Sequence, residues 1–210
     1  MKKILLILFL TTSTAITFAQ TVNFGIKAGL NLSELSHSNV SDYGSGLLPG
    51  FNVGVIADVG FQNFAIQPGV FFSTKGEKDQ SEFIGSNPGG SGPINIPSKT
   101  VLNYIEVPVN ILYKNKLAPG VTLNLGSGPY IGYGLSQTLT LSDNSTTPNY
   151  SGNHKFIYKN PDYGINFIAG LEIHKFIIDA DYGLGLSNLI LDGSTTYNRV
   201  ISISVGYLFR

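Results

Sequence analysis

Val200-Ile201-Ser202-Ile203-Ser204-Val205-Gly206-Tyr207-Leu208-Phe209 decides the fold. Its odd positions are Ile, Ile, Val, Tyr and Phe, and Ser202, Ser204, Gly206 and Leu208 stand between them. A β-strand sends successive side chains to opposite faces, so this stretch has one apolar face and one that is small and largely polar. Seven further stretches alternate in the same way. They are Val22–Leu32, Gly50–Gly60, Asn63–Lys75, Thr100–Lys114, Gly120–Gln137, Asp162–His174 and Lys175–Leu186, and Tyr197–Phe209 is the eighth. Tight connections, Phe61-Gln62, Asn115–Pro119 and His174-Lys175, alternate with the longer polar ones Ser33–Pro49, Gly76–Lys99, Thr138–Pro161 and Ser187–Thr196. Short periplasmic turns, long external loops and about ten residues per strand predict an all-β, eight-stranded antiparallel up-and-down transmembrane β-barrel, with both termini periplasmic.

The register agrees with the charges. Val22, Phe24, Ile26, Ala28 and Leu30 share one face with Phe51, Val53, Val55, Ala57 and Val59 of the second strand. Ile105, Val107, Val109, Ile111 and Tyr113 of the fourth strand join it, as do Ile178, Ala180, Tyr182, Leu184 and Leu186 of the seventh. The other face collects Lys27, Asn52, Asp58, Gln67, Glu106, Asn124, Asn166, Glu172, Asp179 and Asp181. A charge facing lipid at the midplane costs about 2–4 kcal/mol, and this register spares every one of them. Lys27, Asp58, Glu106, Glu172, Asp179 and Asp181 are therefore expected to form a paired polar network filling the lumen. Asp179 and Asp181, at i and i+2, would suit a carboxylate dyad or a cation site, but pairing with Lys27 or another base is the expectation. Phe24, Phe61, Phe64, Tyr113, Phe176, Tyr207 and Phe209 gather near the periplasmic turns, as an interfacial girdle would. Pro68, Pro108 and Pro129 fall inside strands, where each removes a ladder donor, so bulges are expected there.

The start of the chain sets the compartment. Met1-Lys2-Lys3 is basic, Ile4–Leu10 is a short apolar run, and Thr17-Phe18-Ala19 offers a cleavage site. Residues 1–19 read as a cleaved signal peptide and residues 20–210 as the barrel domain. The apolar run is too short to span as a helix. With no cysteine in the chain, lipoprotein anchoring, disulfides and thiolate metal sites are excluded. The 13 basic residues less Lys2 and Lys3 leave 11 against 13 acidic ones, and no basic stripe suggests nucleic acid.

Several stretches, in order along the chain, resemble the PorT-like outer-membrane β-barrel family of Bacteroidetes, often labelled a porin family. They are Gly25–Asn31, Ile66–Gly76, Tyr104–Pro108, Gly128–Tyr133, Asp181–Asn188 and Asn198–Val200 leading into Gly206–Phe209. The resemblance implies the barrel and an outer-membrane location in a Gram-negative bacterium. It makes Pro68 and Pro108 look like family features, and its named member is linked to protein secretion and surface-protein maturation. The chain departs from the family at Gly69, where an acidic residue is common, and at its end, where Arg210 follows Phe209.

Chemistry is sparse. His37, His154 and His174 lie in loops or at a turn, and a Ser–His–acid site needs three groups within hydrogen-bond reach. Glu172 stands near His174, and Glu34, Ser36 and Ser38 stand near His37; solvated loop histidines are the expectation. Asp143-Asn144-Ser145 and Asp192-Gly193-Ser194 are turn signals, Asn87–Pro93 reads as a flexible loop, and Gly126-Ser127-Gly128 is too short to cradle a nucleotide. No catalytic residue, metal or cofactor is expected. The reading is a non-enzymatic outer-membrane barrel of structural, secretion-accessory or surface-interaction type. Its expected partners are outer-membrane lipids and lipopolysaccharide, the barrel-assembly machinery during biogenesis, and an envelope or secretion-system protein. The alternatives are a small-solute porin, a lipid-modifying enzyme and a soluble lipocalin-like barrel. Open channels come with 16–18 strands, and a lipocalin would invert the faces.

Overall fold

The computed structural model describes residues 20–37, 46–87, 90–141, 150–154, 158–189 and 195–209. The leader expected over 1–19, the turn signals at 143–145 and 192–194, and Arg210 lie outside them. Among the described residues nine strands form: β1 (Gln20–His37), β2 (Gly46–Phe61), β3 (Phe64–Asn87), β4 (Gly90–Ala118), β5 (Val121–Leu141), β6 (Tyr150–His154), β7 (Asp162–Ile173), β8 (Phe176–Gly185) and β9 (Thr196–Phe209).

Eight of them close a ring. The antiparallel pairs run β1–β2–β3–β4–β5–β7–β8–β9, and β9 returns to β1. Closure satisfies every wall strand on both sides, which a lipid environment demands. β6 stands outside the ring, paired with the external end of β5 from Gln137↔His154 to Leu141↔Tyr150. The tight turns fall at Gln62-Asn63, Pro119-Gly120 and His174-Lys175. Gln62 and His174 take positive φ, and Gly120 has φ +77°, as two-residue reversals require.

The alternation becomes inside and outside. Phe24, Leu30, Val55, Ile111, Ile131, Phe176, Ile203 and Val205 are exposed on the outer wall. Their neighbours Lys27, Asn31, Asp58, Gln67, Asn110, Asn124, Asp179 and Ser204 are buried within. An exposed apolar belt wrapped round a buried polar interior is the inverse of a soluble barrel. Aromatic rings meet at the periplasmic end: Phe64 with Tyr113 at 5.4 Å, Phe176 with Tyr207 at 5.3 Å, and Tyr207 with Phe209 at 5.5 Å between centroids.

Three expectations need correction. First, no register shift occurs at Pro68, Pro108 or Pro129. The β2–β3 ladder breaks after Ile56↔Gly69 and resumes in the same register at Val59↔Ile66, and β3–β4 breaks between Pro68↔Val109 and Phe71↔Glu106. The β4–β5 ladder does the same between Pro108↔Tyr130 and Ile111↔Ser127. Each proline keeps its pair on the following strand and forfeits rungs with the preceding one, because only one side needed the missing N–H. The register shifts lie instead between Leu47 and Asn52, between Asn103 and Tyr104, and between Lys116 and Ala118. Second, Gly76–Lys99 is not a loop. β3 and β4 stay paired to Asn87↔Gly90, beyond the last described pairs with their neighbours, Gly46↔Lys78 and Ser98↔Leu141. Third, the Thr138–Pro161 connection contains the end of β5 and all of β6.

Candidate functional site

Among the described residues, three lysine-centred clusters occupy the lumen. Each pairs a lysine with one or two carboxylates carried by strands that are not all neighbours. Nearest the periplasmic turns, Lys114 Nζ lies 2.8 Å from Asp58 Oδ1 and 3.1 Å from Glu172 Oε2, and Gln67 Nε2 donates to Asp58 Oδ2 at 3.2 Å. Further in, Lys27 Nζ donates to Asp179 Oδ2 at 2.6 Å, and Ser204 Oγ donates to Asp181 Oδ2 at 3.2 Å. Towards the external end, Lys75 pairs with Glu106 and lies 3.9 Å from Asp162 Oδ2.

The external cluster is the most elaborate. Asp162 accepts from Ser187 Oγ at 2.6 Å, Asn198 Nδ2 at 2.8 Å and the Tyr130 hydroxyl at 3.4 Å. Lys75 Nζ sits 4.6 Å from the Tyr130 ring centre and 5.5 Å from that of Tyr104, within cation–π range. Above it, Leu35, Leu102, Tyr104 and Leu189 pack as a small apolar cap with Tyr158 against them. Burial, helped by the Glu77 carboxylate, pushes the Tyr158 phenol up to about 12. A buried ammonium is tolerable only with several acceptors around it, and these strands supply them.

Of the residues singled out from the sequence, Asp58 and Glu172 meet at Lys114, Lys27 meets Asp179, and Glu106 meets Lys75. Asp181 faces Ser204 rather than taking the short contact to Lys27. Sequence reasoning missed Lys75, Lys114 and Asp162. The same alternation could have found them: Lys114 follows the outward Tyr113, and Lys75 stands two residues after the inward Ser73.

Between the middle and external clusters lies a cavity of about 80 Å³, bordered by Lys27, Asn31, Lys75, Glu106, Asn110 and Asp181. That is room for two or three waters at about 30 Å³ each. Asn110 Oδ1 is buried beside it with no protein partner. At the periplasmic mouth a wider hollow of about 940 Å³ has Lys114, Lys116, His174 and Lys175 in its wall. Glu172 turns inward to Lys114, and the His174 ring lies against Gly120 at the turn. Asp179 and Asp181 take different hydrogen-bond partners, Lys27 and Ser204. Among the described residues no group of three or more His, Cys, Asp or Glu could hold a metal ion.

No curated protein sequence matches the chain. Among solved structures, it is similar to Ail, the attachment invasion locus protein of Yersinia pestis. Identity is 17%, coverage 90% of this chain and 99% of that one, and the TM-score 0.41. Neisserial surface protein A gives 12% identity, 90% and 99% coverage and a TM-score of 0.47. A major outer membrane protein from Thermus thermophilus gives 14%, 90% and 100%, and 0.45. The model of the outer membrane protein beta-barrel domain matches residues 18–191. With a closed eight-stranded wall, an apolar belt and a polar interior, the chain belongs to the outer membrane protein beta-barrel domain family and resides in the outer membrane.

Proposed function

We propose that this protein is a non-enzymatic barrel with a filled lumen that works at the cell surface by contact, through the strands projecting from its external end. The observation that carries this is the β3–β4 ribbon. The ladder continues to Asn87↔Gly90, although the described ladders with β2 and β5 end at Lys78 and Ser98. Such a ribbon carries backbone donors and acceptors clear of the membrane, where an extended partner segment can add to it. The wall residues are already committed to lipid outside and to the three clusters inside.

Within the family, the order of the quoted motifs favours a PorT-like member with a role in secretion or surface-protein maturation, and hence an envelope protein as partner. Lipopolysaccharide surrounds the external rim, and the barrel-assembly machinery is the partner during biogenesis. The porin reading requires an open path, and three clusters in series oppose it. A lipid-modifying enzyme requires nucleophile, base and acid together, and the carboxylate beside His174, that of Glu172, is engaged by Lys114. Replacing residues 79–98 with a tight turn tests the proposal. The trimmed barrel should stay heat-resistant and outer-membrane located, yet lose surface binding or secretion phenotypes. If it keeps every phenotype of the parent, the ribbon is not the working surface.

A further inference from the structure

Opposite charges face each other at one point of the external rim, and like charges at another. Glu34 of β1 stands directly across from Arg199 of β9. Lys78 of β3 stands directly across from Lys99 of β4, and both are exposed. Directly opposed residues share a face, with Cβ atoms about 4.5–5.5 Å apart, and like charges so placed repel. Among the described residues no carboxylate lies within ion-pair distance of either ammonium. The acids beside Lys78 in sequence point the other way: Glu77 is buried opposite Thr100, and Asp79 faces Ser98. Gly46, across from Lys78 on β2, has no side chain to crowd the pair.

The surface leading to this pair runs straight up from the lipid belt. On β4 the outward positions go from the exposed apolar Ile105 to Asn103, Val101 and Lys99. On β5 the extra residue Leu135 shifts the register above the exposed Tyr133, so that Ser136, Thr138 and Thr140 face Asn103, Val101 and Lys99. Asn103 Nδ2 donates to Ser136 Oγ at 2.9 Å. Greasy and aromatic residues thus give way to amide and hydroxyl groups, and these to two ammoniums. A molecule with acyl chains, then sugar, then an anionic substituent on the sugar would match that order along its whole length.

We propose that Lys78 and Lys99 form a binding site for a sugar-linked phosphate of the outer-leaflet glycolipid, with Asn103, Ser136 and the Val101–Thr138 rung as the path beneath it. This goes beyond the contact role of the ribbon and does not depend on it. A phosphate between the two ammoniums converts their repulsion into two charge-assisted hydrogen bonds. The glycolipid is favoured over a soluble anion because the site continues the lipid-facing wall.

The test uses the refolded full-length mature barrel in mixed micelles, titrated with bis-phosphorylated lipid A or with the same lipid dephosphorylated. The parent should bind the phosphorylated lipid more tightly. Each single change, Lys78→Gln or Lys99→Gln, should weaken binding roughly fivefold, and the two together roughly twentyfold. The double variant should then bind both lipids alike. Lys78→Arg with Lys99→Arg should retain binding. The control Lys116→Gln with Lys175→Gln, at the opposite mouth, removes the same charge and should leave affinity within about twofold. Heat-modifiable migration reports that each variant is folded. The proposal is overturned if the parent does not discriminate the two lipids, if the Gln variants bind as the parent does, or if the periplasmic control loses as much.

Discussion

Lys114 shows how one side chain holds a barrel interior together. It bridges Asp58 on β2 and Glu172 on β7, strands separated in the ring by β3, β4 and β5 on one side. Remove it and two buried carboxylates lose their common cation. Breaking a buried pair from one side costs about 3–5 kcal/mol, so Lys114→Met should lower the urea-unfolding free energy by about that much, while the isosteric surface change Lys116→Met should move it little. Equal stability of the two variants would show that the cluster contributes nothing. Gly76 is a second single-residue pivot. Its φ of +140° and the Thr100 carbonyl oxygen, which crowds the place where a Cβ would stand, leave no room for alanine. Gly76→Ala should cost about 1–3 kcal/mol or shift the β3–β4 pairing, readable as changed protection of the ribbon amides. Glu172 and Asp58 were legible from the sequence because an outward apolar residue stands on each side of them, Leu171 and Ile173 for the one and Ala57 and Val59 for the other. Lys75 and Lys114 each stand at the end of an expected strand, where alternation has no further residue to support it, and Asp162 follows Pro161 at the start of one.

At the scale of the strand, the signal is two-fold alternation, and it holds wherever lipid and lumen both press on the chain. Ile203 and Val107 lie mid-strand on the exposed belt. Ile203→Arg and Val107→Arg should each destabilise by about 2–4 kcal/mol in a lipid-bilayer folding titration. Ser202→Arg would act instead by crowding the lumen cavity it lines, independently of bilayer thickness. The ring strands were therefore legible where they face lipid, since a one-residue slip would put Lys27, Asp58 or Asp179 into lipid. Beyond the membrane that constraint vanishes. Asn87-Pro88-Gly89-Gly90-Ser91-Gly92-Pro93 carries no alternation and is full of turn formers, yet its flanks pair as strand. β6, only five residues, is likewise held by its ladder to β5 rather than by a pattern of its own. The prolines misled for a related reason. A bulge is one answer to a missing donor, but a rung left open on one side only keeps the register, and three successive strands adopt it.

For the whole molecule, the three clusters lie in series along the lumen, and that arrangement makes a prediction about permeation. An eight-stranded wall encloses a space that side chains can fill, so a path exists only where none of them crosses it. Lys114 with Asp58 and Glu172 crosses near the periplasmic mouth, Lys27 with Asp179 further in, and Lys75 with Glu106 and Asp162 towards the outside. The cavity of about 80 Å³ lies between the last two. Resistances in series are set by the largest, so clearing a single cluster leaves two in place. The parent protein in planar bilayers should accordingly show little or no steady conductance. Variants that clear one cluster, such as Lys75→Ser with Glu106→Ser, should stay equally closed. Only a variant that replaces the lysine and its carboxylates with serine in all three should pass ions, provided that it still folds. A large ion-selective current from the pure parent would return the porin reading to first place. A current from any single-cluster variant would show that the other two do not cross the lumen, and would locate the barrier in the one removed.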